Sequence, residues 1–195
     1  MSEEVVPERF LDAANESKQN LGPIRGFETY PLVSLIDSIE PIKYLLYDAD
    51  TMIKTARRNS QNPADGLTQE ESAAIRLYTM QWPKPYPSLY TLLNERLRSA
   101  KRESLKPWFP YLKLFLTALS KLPSIQGIIW RGVRENVSDQ YVKKQIWWGI
   151  SSCTTTMPIL EKFIGTNGIR TIFNIECIYV LLKLLENGKQ QKIYI

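Results

Sequence analysis

The order of segments along the chain predicts an α+β fold, with helices in the first two thirds and strands in the last. Three observations carry that expectation. Apolar side chains recur every fourth residue at Leu89, Leu93 and Leu97 and again at Tyr111, Phe115 and Leu119, the spacing of one helix face. From Gly127 onward the pattern changes to β-branched and aromatic runs that alternate, as strands do. A length of 195 residues with 44% hydrophobic content suffices for one sizeable core. The expected architecture is N-terminal helices packed on an antiparallel or mixed β core.

Taken in order, residues 1–26 are polar and loosely patterned and read as an arm. Ile36–Asp50 reads as a helix, with Ile36, Ile39, Lys43 and Tyr47 near helical spacing and Pro41 starting or kinking it. Asn59–Gly66 is a polar, turn-rich linker. Residues 1–62 therefore form an expected arm and helix, and residues 63–195 the main domain. Thr68 and Glu71 make a capping box that opens a helix to about Met80. Pro83, Pro85 and Pro87 break the chain before a helix from Ser88 to about Arg102, and Pro107 and Pro110 introduce the next. The apolar stripes of these helices read as core, packed on the sheet. In the strand half, Gly127–Arg131, Gln145–Thr156 and Thr171–Glu176 read as extended. Asn187-Gly188 between two strand-like runs is the signal of a type I′ hairpin.

What is missing narrows the chemistry. With no histidine, serine-histidine triads, cysteine-histidine pairs and histidine metal sites are unavailable, and two cysteines cannot make a four-ligand zinc site, so no metal is expected. Cys153 and Cys177 read as reduced, largely buried thiols. Met1–Phe10 is acidic and lacks a basic, apolar leader, and the longest apolar stretch, Ile178–Leu182, falls short of a membrane span. The expectation is a cytoplasmic protein without a membrane partner. The net charge of +5 suits an anionic ligand, but the basic excess between Arg96 and Lys121 reads as solvated helix faces, and no nucleic-acid partner is expected.

Two places carry chemistry. In the first strand Arg131 shares a face with Ile129, while Ile128 and Trp130 point the other way. A guanidinium at a strand end is a permanently charged fork suited to a diphosphate or a carboxylate, and Gly132 beside it lets a flat group approach the backbone. In the second run Trp148, Ile150, Ser152 and Thr154 line one face, with Trp147, Gly149, Ser151, Cys153 and Thr155 on the other. A face that turns from aromatic to hydroxyl suggests a strand entering a polar cleft, where Ser152 and Thr154 are the hydrogen-bonding groups. Each has a plain alternative: Arg131 as a surface arginine, the hydroxyls as partners of nearby backbone.

The ordered set Leu67-Thr68-Gln69-Glu70-Glu71, Ala74–Thr79, Leu93–Arg98, Trp130-Arg131-Gly132, Trp148–Thr154, Phe163-Ile164-Gly165 and Arg170–Glu176 resembles the arginine-specific mono-ADP-ribosyltransferases of the arginine, serine, glutamate class. The resemblance implies a domain of that fold and a reaction that moves ADP-ribose from NAD or NADP to an exposed arginine of a protein substrate, releasing nicotinamide. It further implies that Arg131 holds the NAD phosphates and ribose, that the Gly132 backbone holds the nicotinamide carboxamide, and that Ser152 fixes the nicotinamide ribose. Thr154 keeps a hydroxyl of the family's Ser-Thr-Ser step, and Cys153 is a weak donor in it. On this reading Arg131 and Ser152 are the catalytic residues, and Arg131, Gly132, Ser152 and Thr154 bind NAD.

The family's third element, a Glu-x-Glu or Gln-x-Glu step on a later strand, has no counterpart, because Glu161, Glu176 and Glu186 lack that spacing. Such a carboxylate stabilises positive charge at the anomeric carbon and is worth about 10²- to 10³-fold in rate. The resemblance therefore implies incomplete C-terminal strands, a chain that stops before the glutamate, and impaired transfer. The alternatives are a catalytically silent relative that keeps NAD or a protein partner, and a basic nucleic-acid-binding module.

Overall fold

The computed structural model of the protein describes residues 21–124, 126–141, 147–177, 184–186 and 189–194. The fold class is α+β. Two compact units divide it: Leu21–Pro123 is helical, and the part from Ser124 onward holds the strands. The helices of residues 69–121, grouped with the sheet in the sequence reading, thus belong with the preceding ones.

In the helical unit, Ser34 opens α1 (Leu35–Ile39) by accepting a hydrogen bond from the Asp37 N–H. Pro41 then starts a tight 3₁₀ segment, Glu40–Leu45, so the helix expected over 36–50 is two short pieces. The chain resumes in α2 (Ala49–Arg58), which the sequence reading did not separate; its buried face is only Ala49, Ile53 and Ala56. At residues 21–26, expected in an arm, the chain is anchored at its start: Leu21 is buried and the Gly22 carbonyl accepts from Arg102 Nε at 3.0 Å.

The capping box forms as expected on α3 (Gln69–Thr79): the Glu71 N–H reaches Thr68 Oγ1 at 3.2 Å, and the Thr68 N–H reaches Glu71 Oε2 at 2.8 Å. Its neighbour Glu70 works outward. One carboxylate oxygen accepts from the Leu35 N–H at 2.7 Å, and the other from Arg57 Nε at 2.8 Å. Ser88 precedes α4 (Leu89–Arg98), which ends short of Arg102 and passes into a 3₁₀ segment, Arg102–Trp108. Pro110 occupies the first turn of α5 (Phe109–Lys121), where its missing N–H costs nothing. Tyr111, Leu112, Phe115, Ala118 and Leu119 of α5 are buried. Two buried polar groups of this core are paired, with Tyr111 Oη donating to the Ala74 carbonyl at 2.9 Å and Asn94 Nδ2 to Tyr78 Oη at 3.1 Å. Glu71, 3% exposed, pairs with Lys121 at 2.7 Å and ties α3 to α5.

In the second unit, β1 (Gly127–Val133) and β3 (Thr171–Cys177) form an antiparallel pair in which Arg131 opposes Phe173. A second antiparallel sheet has the order β2 (Ser151–Cys153), β5 (Lys189–Tyr194), β4 (Leu184–Glu186). Glu186 opposite Lys189 closes the expected C-terminal hairpin, whose turn residues 187–188 lie outside the described residues. Residues 142–146, at the head of the expected 145–156 strand, and the Ile178–Leu182 stretch lie outside them too. The regular part of that strand is the three residues of β2. Between β2 and β3 runs α6 (Met157–Ile164), with Pro158 in its first turn. The sheets meet at one described bridge, where Trp130 and Thr154 exchange N–H···O bonds of 2.7 and 2.8 Å. Among the described residues no helix is long and apolar enough to cross a membrane.

Two outcomes follow for the helical unit. Thr68→Ala removes half of the capping box and should cost about 1 kcal/mol in urea unfolding of the full chain. Burial of Glu71 disfavours its charge, but Lys121 and the Thr68 backbone and side chain outweigh that and hold its carboxyl below its ordinary value of 4.5. A carboxylate depressed in the folded state stabilises above its unfolded pKa and loses that contribution as pH falls through the folded one. The stability gap between wild type and Glu71→Gln should therefore be full above about pH 4.5 and close on acidification.

Candidate functional site

Alternation along β1 puts Ile129, Arg131 and Val133 on one face, all buried. Arg131 is 2% exposed, which rules out the surface-arginine reading. Its Nη1 donates to the Ser152 main-chain carbonyl at 3.0 Å, so the two expected catalytic residues are in direct contact. The contact uses the Ser152 carbonyl and leaves the hydroxyl out of it.

The guanidinium carbon also lies 5.5 Å from the centre of the Trp147 ring, within cation–π range. Trp147 is itself held by Tyr141, stacked at 5.3 Å, and by the edge of Phe173 at 5.4 Å, with Val133 and Val137 behind. Tyr141 and Phe173 complete the triangle at 4.9 Å. The Val137 N–H donates to Thr171 Oγ1 at 3.0 Å, which donates to the Glu135 carbonyl at 2.8 Å, so the loop after β1 is pinned to β3. The sequence reading missed this wall. Its one signal was parity: Trp147 falls with Ser151 and Cys153 on the face opposite Ser152.

The bridge fixes which groups look where. Trp130 spends its N–H and C=O on Thr154, so the pairs bonded to β3 are those of Ile129, Arg131 and Val133. The N–H and C=O of Gly132, two residues past Trp130, consequently point to the β2 side. There β1 and β2 join different sheets, and the Gly132 main chain, the Arg131 guanidinium and the Ser152 carbonyl lie at the junction, all in buried residues.

Directly opposed residues of an antiparallel pair share a face. Thr154, and Ser152 two residues before it, therefore lie on the side of Trp130, and Ser151 and Cys153 on the side of Arg131. All four are buried. Thr154 Oγ1 accepts from the Thr156 N–H at 3.2 Å, a local use of the kind hydroxyl-rich strand ends often make. Ser151 Oγ and Trp147 Nε1 are buried without a hydrogen-bond partner among the described residues. Cys153 carries a thiol and no disulfide, and the Cys177 side chain lies outside the described residues.

Gly132 departs from its expected role on one side. A Cβ there would stand 2.7 Å from Ile164 Cγ2, 2.8 Å from Ile164 Cδ1 and 3.0 Å from Leu160 Cδ1. The close approach on that face is made by α6, so a ligand meets only the main-chain edge of Gly132. Among the carboxylates, Glu176 opposes Ile128 on the exposed face away from Arg131, and Glu161 is exposed on α6. The Glu186 side chain lies outside the described residues. No group of three or more acidic or cysteine side chains suited to a metal ion occurs among the described residues.

Comparison with protein-family models, curated proteins and solved structures gives no match.

Gly132→Ala should destabilise the chain by about 1–3 kcal/mol through overpacking. Adding Ile164→Val, which shortens the obstructing side chain, should restore part of the loss in thermal melting. No loss in the single variant would mean that α6 does not pack on Gly132.

Proposed function

We propose that the second unit binds NAD at the junction of β1 and β2, on the plan of the arginine-specific mono-ADP-ribosyltransferases. The observation that carries this reading is the edge of Gly132. Its N–H and C=O look toward β2 side by side. A primary carboxamide such as that of nicotinamide offers the reciprocal acceptor and donor. Next to that edge stands the Arg131 fork, whose planar donors match a diphosphate in two-pronged fashion. Ser152 is bonded to Arg131 through its carbonyl, while its hydroxyl lies on the Trp130 side of the strands, away from the guanidinium, so the reading rests on Gly132 and Arg131 and not on that hydroxyl.

Transfer of ADP-ribose to a protein arginine needs more than binding. As nicotinamide leaves, positive charge builds at the anomeric carbon, and a carboxylate facing it lowers the barrier. Glu161 and Glu176 stand elsewhere, so we expect this chain to hold NAD and turn it over slowly. The basic residues of the Arg96–Lys121 segment give little support to a nucleic-acid reading, since several are engaged within the helical unit: Lys121 with Glu71, Lys106 with Glu103, and Lys113 with the Glu28 carbonyl.

Calorimetric titration of NAD into wild type, Arg131→Lys and Ser152→Ala is the direct test. Wild type should bind saturably, and Arg131→Lys, which keeps the charge but loses the fork, should bind about tenfold or more weakly. With labelled NAD and an arginine-rich acceptor, turnover should lie about 10²-fold or more below that of an enzyme with its glutamate in place. Absence of saturable NAD binding to wild type sinks the site, and rapid transfer sinks the impairment.

A further inference from the structure

The side-chain amide of an asparagine is open to attack by the main-chain nitrogen of the next residue. Whether the attack occurs depends on what that nitrogen is bonded to and how closely it can approach. Six asparagines lie among the described residues, and at five of them the next nitrogen is committed or carries no proton. After Asn59, the Ser60 N–H donates to the Arg57 carbonyl at 3.0 Å. After Asn62 comes Pro63, which has no N–H. After Asn94, the Glu95 N–H lies inside α4. After Asn136, the Val137 N–H donates to Thr171 Oγ1 at 3.0 Å, and Asn136 Oδ1 is itself held by the N–H and hydroxyl of Ser138. After Asn174, the Ile175 N–H lies in the β1–β3 pairing. Asn167 is different. Gly168 follows it, and the Gly168 N–H has no hydrogen-bond partner among the described residues. Both residues are exposed, Gly168 stands at φ +88°, and a Cβ built on it would meet nothing within 4 Å. With no side chain to shield it, the Gly168 nitrogen can swing onto Asn167 Cγ. Arg170 fastens the base of this loop between α6 and β3 by donating to the Gly165 and Thr166 carbonyls, which leaves residues 167–169 as its exposed tip.

We propose that Asn167-Gly168 is a self-modification site, at which the folded chain converts the asparagine to isoaspartate or aspartate with water as the co-reactant. The Gly168 nitrogen, its proton passed to water, bonds to Asn167 Cγ. The bond from Cγ to the amide nitrogen breaks, and that nitrogen leaves as ammonia. Water then opens the cyclic imide at either carbonyl. One opening restores the main chain and gives aspartate, and the other routes the main chain through the former side chain and gives isoaspartate. Nothing is oxidised or reduced. The product places a carboxylate on the loop that Arg170 fastens and lowers the net charge by one unit from +5. The isoaspartate form also lengthens the backbone of that loop by one methylene. The reaction needs neither NAD nor any residue of the β1–β2 junction.

The full chain is incubated in neutral buffer in parallel with a synthetic peptide spanning Gly165–Arg170, and conversion at each asparagine is followed by mass spectrometry after trypsin digestion. Trypsin places Asn167 between Lys162 and Arg170, apart from Asn136, from Asn174 and from Asn187, which lies outside the described residues. Isoaspartate is scored by methyl transfer from S-adenosylmethionine with an isoaspartate methyltransferase. Asn167 should convert about tenfold or more faster than Asn136 and Asn174, whose neighbouring nitrogens must first give up a hydrogen bond. In Asn167→Gln the isoaspartate of that fragment should be lost. An Asn167 that stays intact while the peptide is converted overturns the proposal. So does conversion of Asn136 or Asn174 at the pace of Asn167, because the fold would then not be selecting the site.

Discussion

An arginine cannot shed its proton inside a protein, so placing Arg131 almost wholly out of water sets terms for everything around it. The Ser152 carbonyl and the Trp147 face are among the groups that meet those terms, and each ties the guanidinium to a different part of the unit. Through the carbonyl, β1 is held to β2, which otherwise meets it only at the Trp130–Thr154 bridge among the described residues. Through the ring, β1 is held to the loop before β2 and to Phe173 of β3. Sliding β1 by one residue would send Arg131 to the face packed by α6 and bring Trp130 or Gly132 under the indole, so one charged side chain enforces the pairing register.

The helical unit handles its buried charge differently. Glu71 has an opposite charge, Lys121, which reaches both carboxylate oxygens, and one of those oxygens also accepts from the Thr68 N–H. Removing Lys121 would leave the Glu71 carboxylate buried without its opposite charge, whereas Lys121 itself is exposed. Arg131 has the Trp147 ring and the Ser152 carbonyl among its partners.

How much of this was legible depended on the distance over which each signal acts. The capping box at Thr68 and Glu71, the stripe of α5 and the hairpin around residues 187–188 are local statements, written within a few consecutive residues, and each element formed where they stand. The helix α2 carries a weak stripe of one isoleucine and two alanines among charges, and the 3₁₀ turn at Pro41 depends on how the chain bends toward it. In the site, a period of two was enough to place Arg131 beside Ile129. The partner ring was not legible, because Trp147 reaches Arg131 across a loop and no sequence spacing encodes that meeting. Gly132 teaches a related point. Its missing side chain signals that something comes close, and whether the visitor is a ligand or a neighbouring helix is decided by where Leu160 and Ile164 fall.

The carboxylate of Glu70 has a consequence for how the helical unit assembles. A five-residue helix such as α1 lies far below the length at which a helix holds together unaided. The donor that Glu70 satisfies is the first of that helix, and the same side chain grips Arg57 at the end of α2. The order of α1 is therefore borrowed from later helices, with Glu70 of α3 holding its first donor and α5 packed against it. Local order and global folding coincide there, so α1 gains or loses its structure as part of one cooperative event shared with its neighbours.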